Sequence, residues 1–339
     1  MSRSSRSGRI SPAGAIANAI VVVTLLVGAV GCSGGDSDDV AAPNAVSPDA
    51  GASVDTADCS PARPADAPTS PSARELVIDG MTRTYTIAVP ETYDGTTALP
   101  LVLDFHGWGS SGAQHEADTS LAERGVEREF VVVTPDATGS PAEWNMFDDP
   151  ARTPDYDHVG VLVDTLLEEW CIDPDRVFAV GHSNGAAFTG FLGCREPYRF
   201  AAVAMVAATI PSTCPDGTTP SVLVISGDAD PQVPYEGGSV GGGPTQIPGA
   251  VQTMAGYRER YGCATEGSVS EPVPGVRSER SSDCTSGAVI GFDTVIGGTH
   301  PWPGGVAAVA DPANSEAGRT YDATGAVLEF FDAAPPRGT

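Results

Sequence analysis

"GHSNGAAFTG" (residues 181–190) compresses a strand end, a sharp turn and the first turns of a helix into one short stretch. It follows the apolar run "RVFAV" and leads into an alanine-rich segment. Ser183 stands between Gly181 and Gly185, with His182 and Asn184 at its sides, which completes a G-x-S-x-G. On an elbow of this kind the serine sits in a strained strand-to-helix turn, so the flanking positions must be small. The five-residue pattern is weak alone; a buried strand before it and a helix after it are the context it requires. The helix N-terminus beneath Ser183 would also stabilise developing negative charge. A serine hydroxyl is a poor nucleophile until a base takes its proton, and the base needs a carboxylate to fix its tautomer.

The rest of the chain supplies the sheet to which such an elbow belongs. "RELVIDGMTRTYTIAVP" places two β-rich runs around Asp79-Gly80, a strong hairpin signal. "LPLVLDFHGWGSSG", "FVVVTPD", "RVFAVGHS", "SVLVISGDAD" and "AVIGFDTVIGG" are continuous apolar runs ending in loop residues, as strands buried on both faces of a parallel sheet require. Helix-like stretches separate them: "HVGVLVDTLLEEW", "GAAFTGFLGC" and "GAVQTMAGYRERYG". Alternating strands and helices predict an α/β fold, with a mainly parallel central sheet, an antiparallel N-terminal hairpin and helices on both faces. Chemistry in such sheets lies in the loops beyond the strand carboxyl ends.

Those loops carry the partners that Ser183 needs. Gly227-Asp228-Ala229-Asp230-Pro231 ends one strand, and Gly297-Gly298-Thr299-His300-Pro301-Trp302-Pro303-Gly304 follows the last. The order Ser, Asp, His is that of α/β-hydrolases. Of the five histidines, His106 precedes the glycine loop, His182 lies inside the elbow and is expected to point away from its neighbour, His115 falls in a polar loop, and His158 opens a helix. His300 alone combines a late position, a loop and a preceding strand. Asp230 is preferred to Asp228 as the acid because it lies further out on its loop. For Asp228 a turn-forming role is expected. An acyl transfer also needs two oxyanion donors: the backbone N–H after the nucleophile, Asn184, and one from an early strand-to-helix loop, here Trp108 in "HGWGSSG".

Composition bounds the partners. The 339 residues carry a formal net charge of −26 and a hydrophobic fraction of 41%. All 18 positive residues are arginine. Such an acidic chain excludes nucleic acid as a partner, since phosphate binding needs clustered positive charge. Arg3, Arg6 and Arg9 precede a mostly apolar run from Ile16 to Val30, an export-signal pattern too short for a membrane span. Ala29-Val30-Gly31-Cys32 then resembles a bacterial lipobox, so Cys32 is expected to be lipidated and to anchor the chain on the outer face of the cell membrane. The remaining cysteines are Cys59, Cys171, Cys194, Cys214, Cys263 and Cys284, and six allow fifteen pairings. Proximity favours Cys194–Cys214 and Cys263–Cys284, and Cys59–Cys171 follows by elimination. None has the C-x-x-C spacing of a zinc site. The organisation expected is a signal over 1–31, a polar disordered tether over 32–72 and a catalytic domain over 73–334, acting as a monomer without metal or cofactor.

"RTYTIAVP", "LPLVLDFHGWGSSG", "WCIDPDRVFAVGHSNGAAFTGFLGC", "FAAVAMVA", "SGDADPQVPYEGG" and "GGTHPWPGG" together resemble the secreted esterases grouped as polyhydroxybutyrate depolymerase-like and as feruloyl or acetylxylan esterases, from about Arg74 to Phe331. The resemblance implies Ser183 as nucleophile, Asp230 as acid partner and His300 as base. It also implies Trp302 as a wall of the substrate site, Trp144-Asn145 near the acyl entrance and Cys263–Cys284 as a staple before the histidine loop. Where the family usually has a second glycine after Ser-Asn-Gly, this chain has Ala186.

The expected function is an exported serine esterase acting on an ester substrate, polymeric substrates included: feruloyl or acetyl esters of plant polysaccharide, or alternatively short-chain polyester of the polyhydroxybutyrate type. Trp108, Trp144 and Trp302, if clustered, would make a flat apolar slot for such acyl groups. Acyl transfer to a cell-wall sugar is a further alternative. A noncatalytic lipoprotein that binds a glycan or a protein on the same scaffold is the alternative from another class.

Overall fold

A computed structural model describes Cys59 and residues 71–146, 155–195, 199–210, 220–264 and 267–337. The export signal, Cys32, most of the tether and Cys214 lie outside the described residues.

The hairpin comes first: β1 (Ser72–Ile78) and β2 (Met81–Ala88) pair antiparallel around Asp79 and Gly80, both with positive φ (51° and 78°). This is the backbone that an Asp-Gly two-residue turn favours. The chain continues through β3 (Leu99–Phe105), α1 (Gly112–Thr119), α2 (Leu121–Val126) and β4 (Val131–Pro135). A small ladder of β5 (Thr138–Gly139) and β6 (Ala142–Glu143) precedes α3 (Asp155–Glu169), β7 (Ile172–His182), α4 (Asn184–Arg195), β8 (Ala202–Val206) and β9 (Ser221–Gly227). After a second small ladder of β10 (Gly237–Ser239) and β11 (Gln246–Pro248) come α5 (Ala250–Tyr261), β12 (Ser268–Ser270), β13 (Val276–Ser281) and β14 (Ile290–Val295). Three helices, α6 (Val306–Ala310), α7 (Glu316–Thr320) and α8 (Ala323–Ala333), end the described chain.

The main sheet has the order β1-β2-β4-β3-β7-β8-β9-β14-β13-β12. Strands β4, β3, β7, β8, β9 and β14 are parallel to their neighbours in this list, and both edges are antiparallel. This is the α/β-hydrolase fold. The second antiparallel edge was not anticipated. β13, "VRSERS", mixes buried Val276, Ser278 and Ser281 with three charged residues and lacks the apolar run that marks the central strands.

Alternation explains the two cores. On β3, Leu101, Leu103 and Phe105 join one apolar cluster with Val159, Leu162 and Leu166 of α3 and Phe188 and Leu192 of α4. Val102 points the other way, into a cluster with Leu121 of α2 and Val327, Leu328 and Phe331 of α8. A period of two on a strand covered from both sides reads in sequence as unbroken hydrophobicity.

Cys59 forms a disulfide with Cys171, with a Cα–Cα distance of 5.7 Å, and its N–H donates to the Thr96 carbonyl. A residue expected in a disordered tether is therefore fastened to the domain beside β7. Cys263 and Cys284 form a second disulfide. Cys194 is disulfide-bonded too, while its expected partner Cys214 lies outside the described residues. Such bonds persist in oxidising compartments.

Candidate active site

The site is assembled at the carboxyl ends of β3, β7, β9 and β14. At the end of β7, Ser183 adopts φ 54°, a left-handed conformation rare for a side-chain-bearing residue. Its N–H is held by the Val206 carbonyl at 2.9 Å, and its own carbonyl accepts from Ala187 as α4 begins. The tightness of the elbow is visible at Gly185, where a Cβ would fall onto the carbonyl oxygens of Phe105 and His106.

His300 lies opposite. Its Nε2 is 2.9 Å from Ser183 Oγ and its Nδ1 is 2.7 Å from Asp230 Oδ2. The other Asp230 oxygen accepts from the N–H groups of Gln232 (2.7 Å) and Val233 (2.9 Å), so both carboxylate oxygens have partners. Asp228 does not reach His300; it accepts from the Gly297 N–H. It thereby ties the loop after β9 to the loop after β14. Gly227 lets these loops touch, since a Cβ there would strike the Gly298 carbonyl. Thr299 completes the brace, donating its hydroxyl to Asp311 (2.7 Å) and its N–H to Asn314 (3.0 Å).

The backbone N–H groups of Trp108 and Asn184 have no acceptor among the described residues. Gly107, Trp108, Ser183 and His300 line a cleft of about 600 Å³, together with Gln114, His115 and Ala117 of α1 and Val306, Ala307 and Ala310 of α6. The Trp108 side chain is 61% exposed at its rim.

The three predicted substrate residues Trp144, Asn145 and Trp302 are not at the cleft surface. Trp144 is 1% exposed, stacks on Phe188 at 5.1 Å and donates its indole N–H to the His106 carbonyl. Asn145 is buried beside it, its N–H bonded to Asp155 at 2.6 Å. Their loop reaches the site indirectly, through the Trp144 N–H bonded to Asn184 Oδ1 at 2.8 Å. Trp302 is 0% exposed, its indole N–H donated to Thr324 Oγ1. It supports the site from beneath instead of walling it. The three-tryptophan slot is thus reduced to Trp108. A motif fixes where an indole lies along the chain, and packing decides which side of the loop it faces.

The other histidines are more involved than the sequence suggested. His182 does not point away. Its Nε2–H donates to the His300 carbonyl at 2.9 Å, and its ring centroid is 5.2 Å from that of His300. Burial first, then the proximity of His300, pushes the pKa of His182 down to about 3, so it stays neutral and keeps this bond. His106 receives the Ala137 N–H on Nε2 (3.0 Å) and lies 2.7 Å from the Gly107 carbonyl through Nδ1, bracing the loop that carries Trp108. Burial lowers its pKa.

His115 lies on helix α1, not in a polar loop. It is 4% exposed, and its Nε2 is 2.9 Å from Oδ1 of the fully buried Asp104. Burial alone would lower its pKa, but the Asp104 carboxylate outweighs it and the net shift is upward. The signal for Asp104 was present in sequence: one charge inside the apolar run "LPLVLDF", a position that is seldom ionisable without a buried partner.

No protein family model matches the chain. Over 314 residues it is 33% identical to the "Putative esterase NocK" of Nocardia uniformis subsp. tsuyamanensis, covering 84% of this chain and 89% of that protein. It is 26% identical over 225 residues to Feruloyl esterase B of Piromyces equi, with 63% of this chain and 42% of the relative covered. It is 31% identical over 185 residues to Poly(3-hydroxybutyrate) depolymerase of Ralstonia pickettii, with 50% and 37% covered. The chain thus spans less than half the length of these last two relatives. An acetyl xylan esterase from Aspergillus awamori shares the fold, with a TM-score of 0.56 at 15% identity over 77% of this chain and 99% of that one. With a relative matched along most of both lengths, on this fold, the chain belongs to the α/β-hydrolase esterase family related to feruloyl esterases and poly(3-hydroxybutyrate) depolymerase, and is a carboxylic ester hydrolase.

Proposed function

We propose that the chain is an exported serine esterase acting on feruloyl or acetyl esters of plant polysaccharide through Ser183, His300 and Asp230. The single observation that carries the mechanism is the unbroken chain of hydrogen bonds from Ser183 Oγ through His300 to Asp230, at the floor of an open cleft. His300 Nε2 takes the Ser183 proton as Oγ attacks the ester carbonyl carbon. Asp230 holds the Nδ1 proton and stabilises the imidazolium. The N–H groups of Trp108 and Asn184 bind the oxyanion. Collapse of the tetrahedral intermediate breaks the ester C–O bond, and the leaving alkoxide takes the proton from His300. Water, deprotonated by the same imidazole, then attacks the acyl-enzyme, and carboxylic acid and free Ser183 result.

The substrate class is supported by Feruloyl esterase B among the relatives and by the exposed indole of Trp108 at the rim. A second reading, hydrolysis of short-chain polyester, is favoured by the depolymerase relative and by the apolar side chains of Val306 and Val309 on α6 beside the cleft, 66% and 57% exposed. For localisation, we read 1–31 as a signal, Cys32 as the lipidated N-terminus, 32–72 as a tether and 73–334 as the catalytic domain of a monomer on the outer face of the membrane.

Hydrolysis of methyl ferulate and of a 3-hydroxybutyrate trimer, each with a Ser183→Ala control, tests the reading. Ferulate turnover that disappears in the control is the expected result, and turnover of the trimer alone would move the assignment to polyester. A noncatalytic glycan- or protein-binding lipoprotein would leave Ser183 unlabelled by a fluorophosphonate.

A further inference from the structure

We propose that His115, held by Asp104, is a specificity-determining residue that binds a neutral hydroxyl group of the substrate inside the cleft. This inference rests on the esterase reading of the site.

The geometry carries it. His115 Nε2 is committed to Asp104 Oδ1 at 2.9 Å, and its Nδ1 has no partner among the described residues. His115 is among the residues lining the cleft that contains Ser183 and His300, although almost all of its surface is buried. The ring is fixed by more than the carboxylate. Trp302 meets it edge-on at 5.6 Å, and His182 lies nearly parallel at 6.3 Å. The other long polar side chains in the cleft, Gln114 and Gln232, are exposed and would lose rotamer freedom on binding. His115 is already ordered.

The pair is poor value as mere packing. Asp104 is fully buried and its Oδ2 has no hydrogen-bond partner among the described residues. A buried charged pair with an oxygen left over contributes little net stability compared with apolar side chains of similar volume. A site that needs a fixed polar atom explains what packing does not.

The chemistry of the atom selects the ligand. With Nε2–H donated to Asp104, neutral His115 presents Nδ1 as a lone-pair acceptor, and the protonated ring presents it as a donor. A hydroxyl can donate to the first form and accept from the second. A carboxylate could bind only the second, and it would face the negative charges of Asp104, Glu116 and Asp118 that surround the ring. Three substrate hydroxyls share this chemistry: that of a 3-hydroxyacyl unit, that of a sugar alcohol and that of a phenolic acyl group.

The test uses esters differing by one hydroxyl: ethyl 3-hydroxybutyrate against ethyl butyrate, a monoacetylated xylose against cyclohexyl acetate, and methyl 4-hydroxycinnamate against methyl cinnamate. The variant is His115→Gln, whose amide can keep the bond to Asp104 while removing the second ring nitrogen, Nδ1. In the wild type, KM is expected to be lower for the hydroxylated member of at least one pair. His115→Gln is expected to raise that KM about three- to tenfold, as loss of one neutral hydrogen bond would, with a far smaller change in kcat. The pair that responds identifies the source of the hydroxyl. Equal KM within every wild-type pair, or an equal rise in both members, overturns the inference. Fluorophosphonate labelling of Ser183 in both proteins separates this failure from failure of the esterase reading: no labelling of the wild type sinks the latter, and a labelled variant whose KM rises equally for both members of every pair sinks only the former. If His115→Gln does not fold, Asp104→Asn is read on the same pairs, because it keeps an oxygen acceptor and lowers only the polarity of the ring.

Discussion

The molecule holds two aspartate–histidine pairs on either side of His182, and they differ in what lies beyond the imidazole. In the pair of Asp230 and His300, both carboxylate oxygens are satisfied and the far ring nitrogen meets Ser183. Both residues sit on loops after strand ends, where position can be adjusted without disturbing the sheet. In the pair of Asp104 and His115, the carboxylate is inside β3 and the imidazole is on α1. Among the described residues, one carboxylate oxygen has no hydrogen-bond partner and the far nitrogen meets none either. On the proposed mechanism, the same two types of side chain make a base where a hydroxyl nucleophile is supplied by the protein, and a fixed polar contact where it is not. Partner geometry, and not residue type, separates the two roles.

The largest effect expected from breaking this comparison is on kcat. Asp230→Asn leaves the shape but permits the wrong tautomer of His300, and a loss of roughly 10⁴-fold in kcat is expected. Asp104→Asn makes the same chemical change in the other pair, and its loss should be at least about a hundredfold smaller, since no proton in transit passes through His115. Steady-state kinetics on p-nitrophenyl acetate checks both, and equal losses would erase the distinction between the pairs.

A smaller effect sharpens the role of the residue between them. His182→Phe keeps a ring against His115 and Trp302 but removes the hydrogen bond to the His300 carbonyl. Displacement of the base by a fraction of an ångström should lower kcat by about ten- to a hundredfold while KM moves little. A variant with wild-type kcat would show that the loop after β14 needs no help from the elbow, its brace from Thr299 and Asp228 being sufficient.

The smallest effect is on stability and concerns a histidine without a carboxylate. His158 is buried on α3 with neither ring nitrogen hydrogen-bonded to a described residue, and burial, then the nearby Arg83 charge, pushes its pKa down to about 3. The unfolded chain binds this proton near pH 6.5 and the folded chain does not. Its effect is therefore absent above about pH 6.5 and grows as pH falls towards 3, by up to about 1.4 kcal/mol per pH unit. Urea unfolding of the wild type and of His158→Leu should give curves whose difference in stability changes by about 2 kcal/mol between pH 6.5 and 5. A difference independent of pH would mean that His158 takes up its proton in the folded state.

Much of this was legible in the sequence for a common physical reason: the features concerned are local. The Asp-Gly hairpin turn, the unbroken apolar strands, the small residues around Ser183 and the order of Ser183, Asp230 and His300 all follow from steric and solvation rules acting within a few residues. The preference for Asp230 over Asp228 was local too, a matter of reach along one loop. What sequence alone left undecided is set by packing between distant segments. Trp144 and Trp302 carry the right residue type at the right motif positions, yet their indoles bury against Phe188 and Thr324 instead of facing the cleft. Cys59 lies in the stretch read as a polar tether, and its pairing with Cys171, 112 positions away, followed only by elimination until the fold brought the two together. His115 and Asp104 stand only eleven positions apart, but one reads as a loop residue and the other as a break in an apolar strand. Sequence determined the sheet, the elbow and the three side chains that meet there, because backbone sterics and hydrophobic periodicity are written residue by residue. Tertiary structure alone decided which rings face the cleft and which support it. Side-chain direction on a loop or a helix is fixed by the neighbour it packs against, and that neighbour is chosen by the fold.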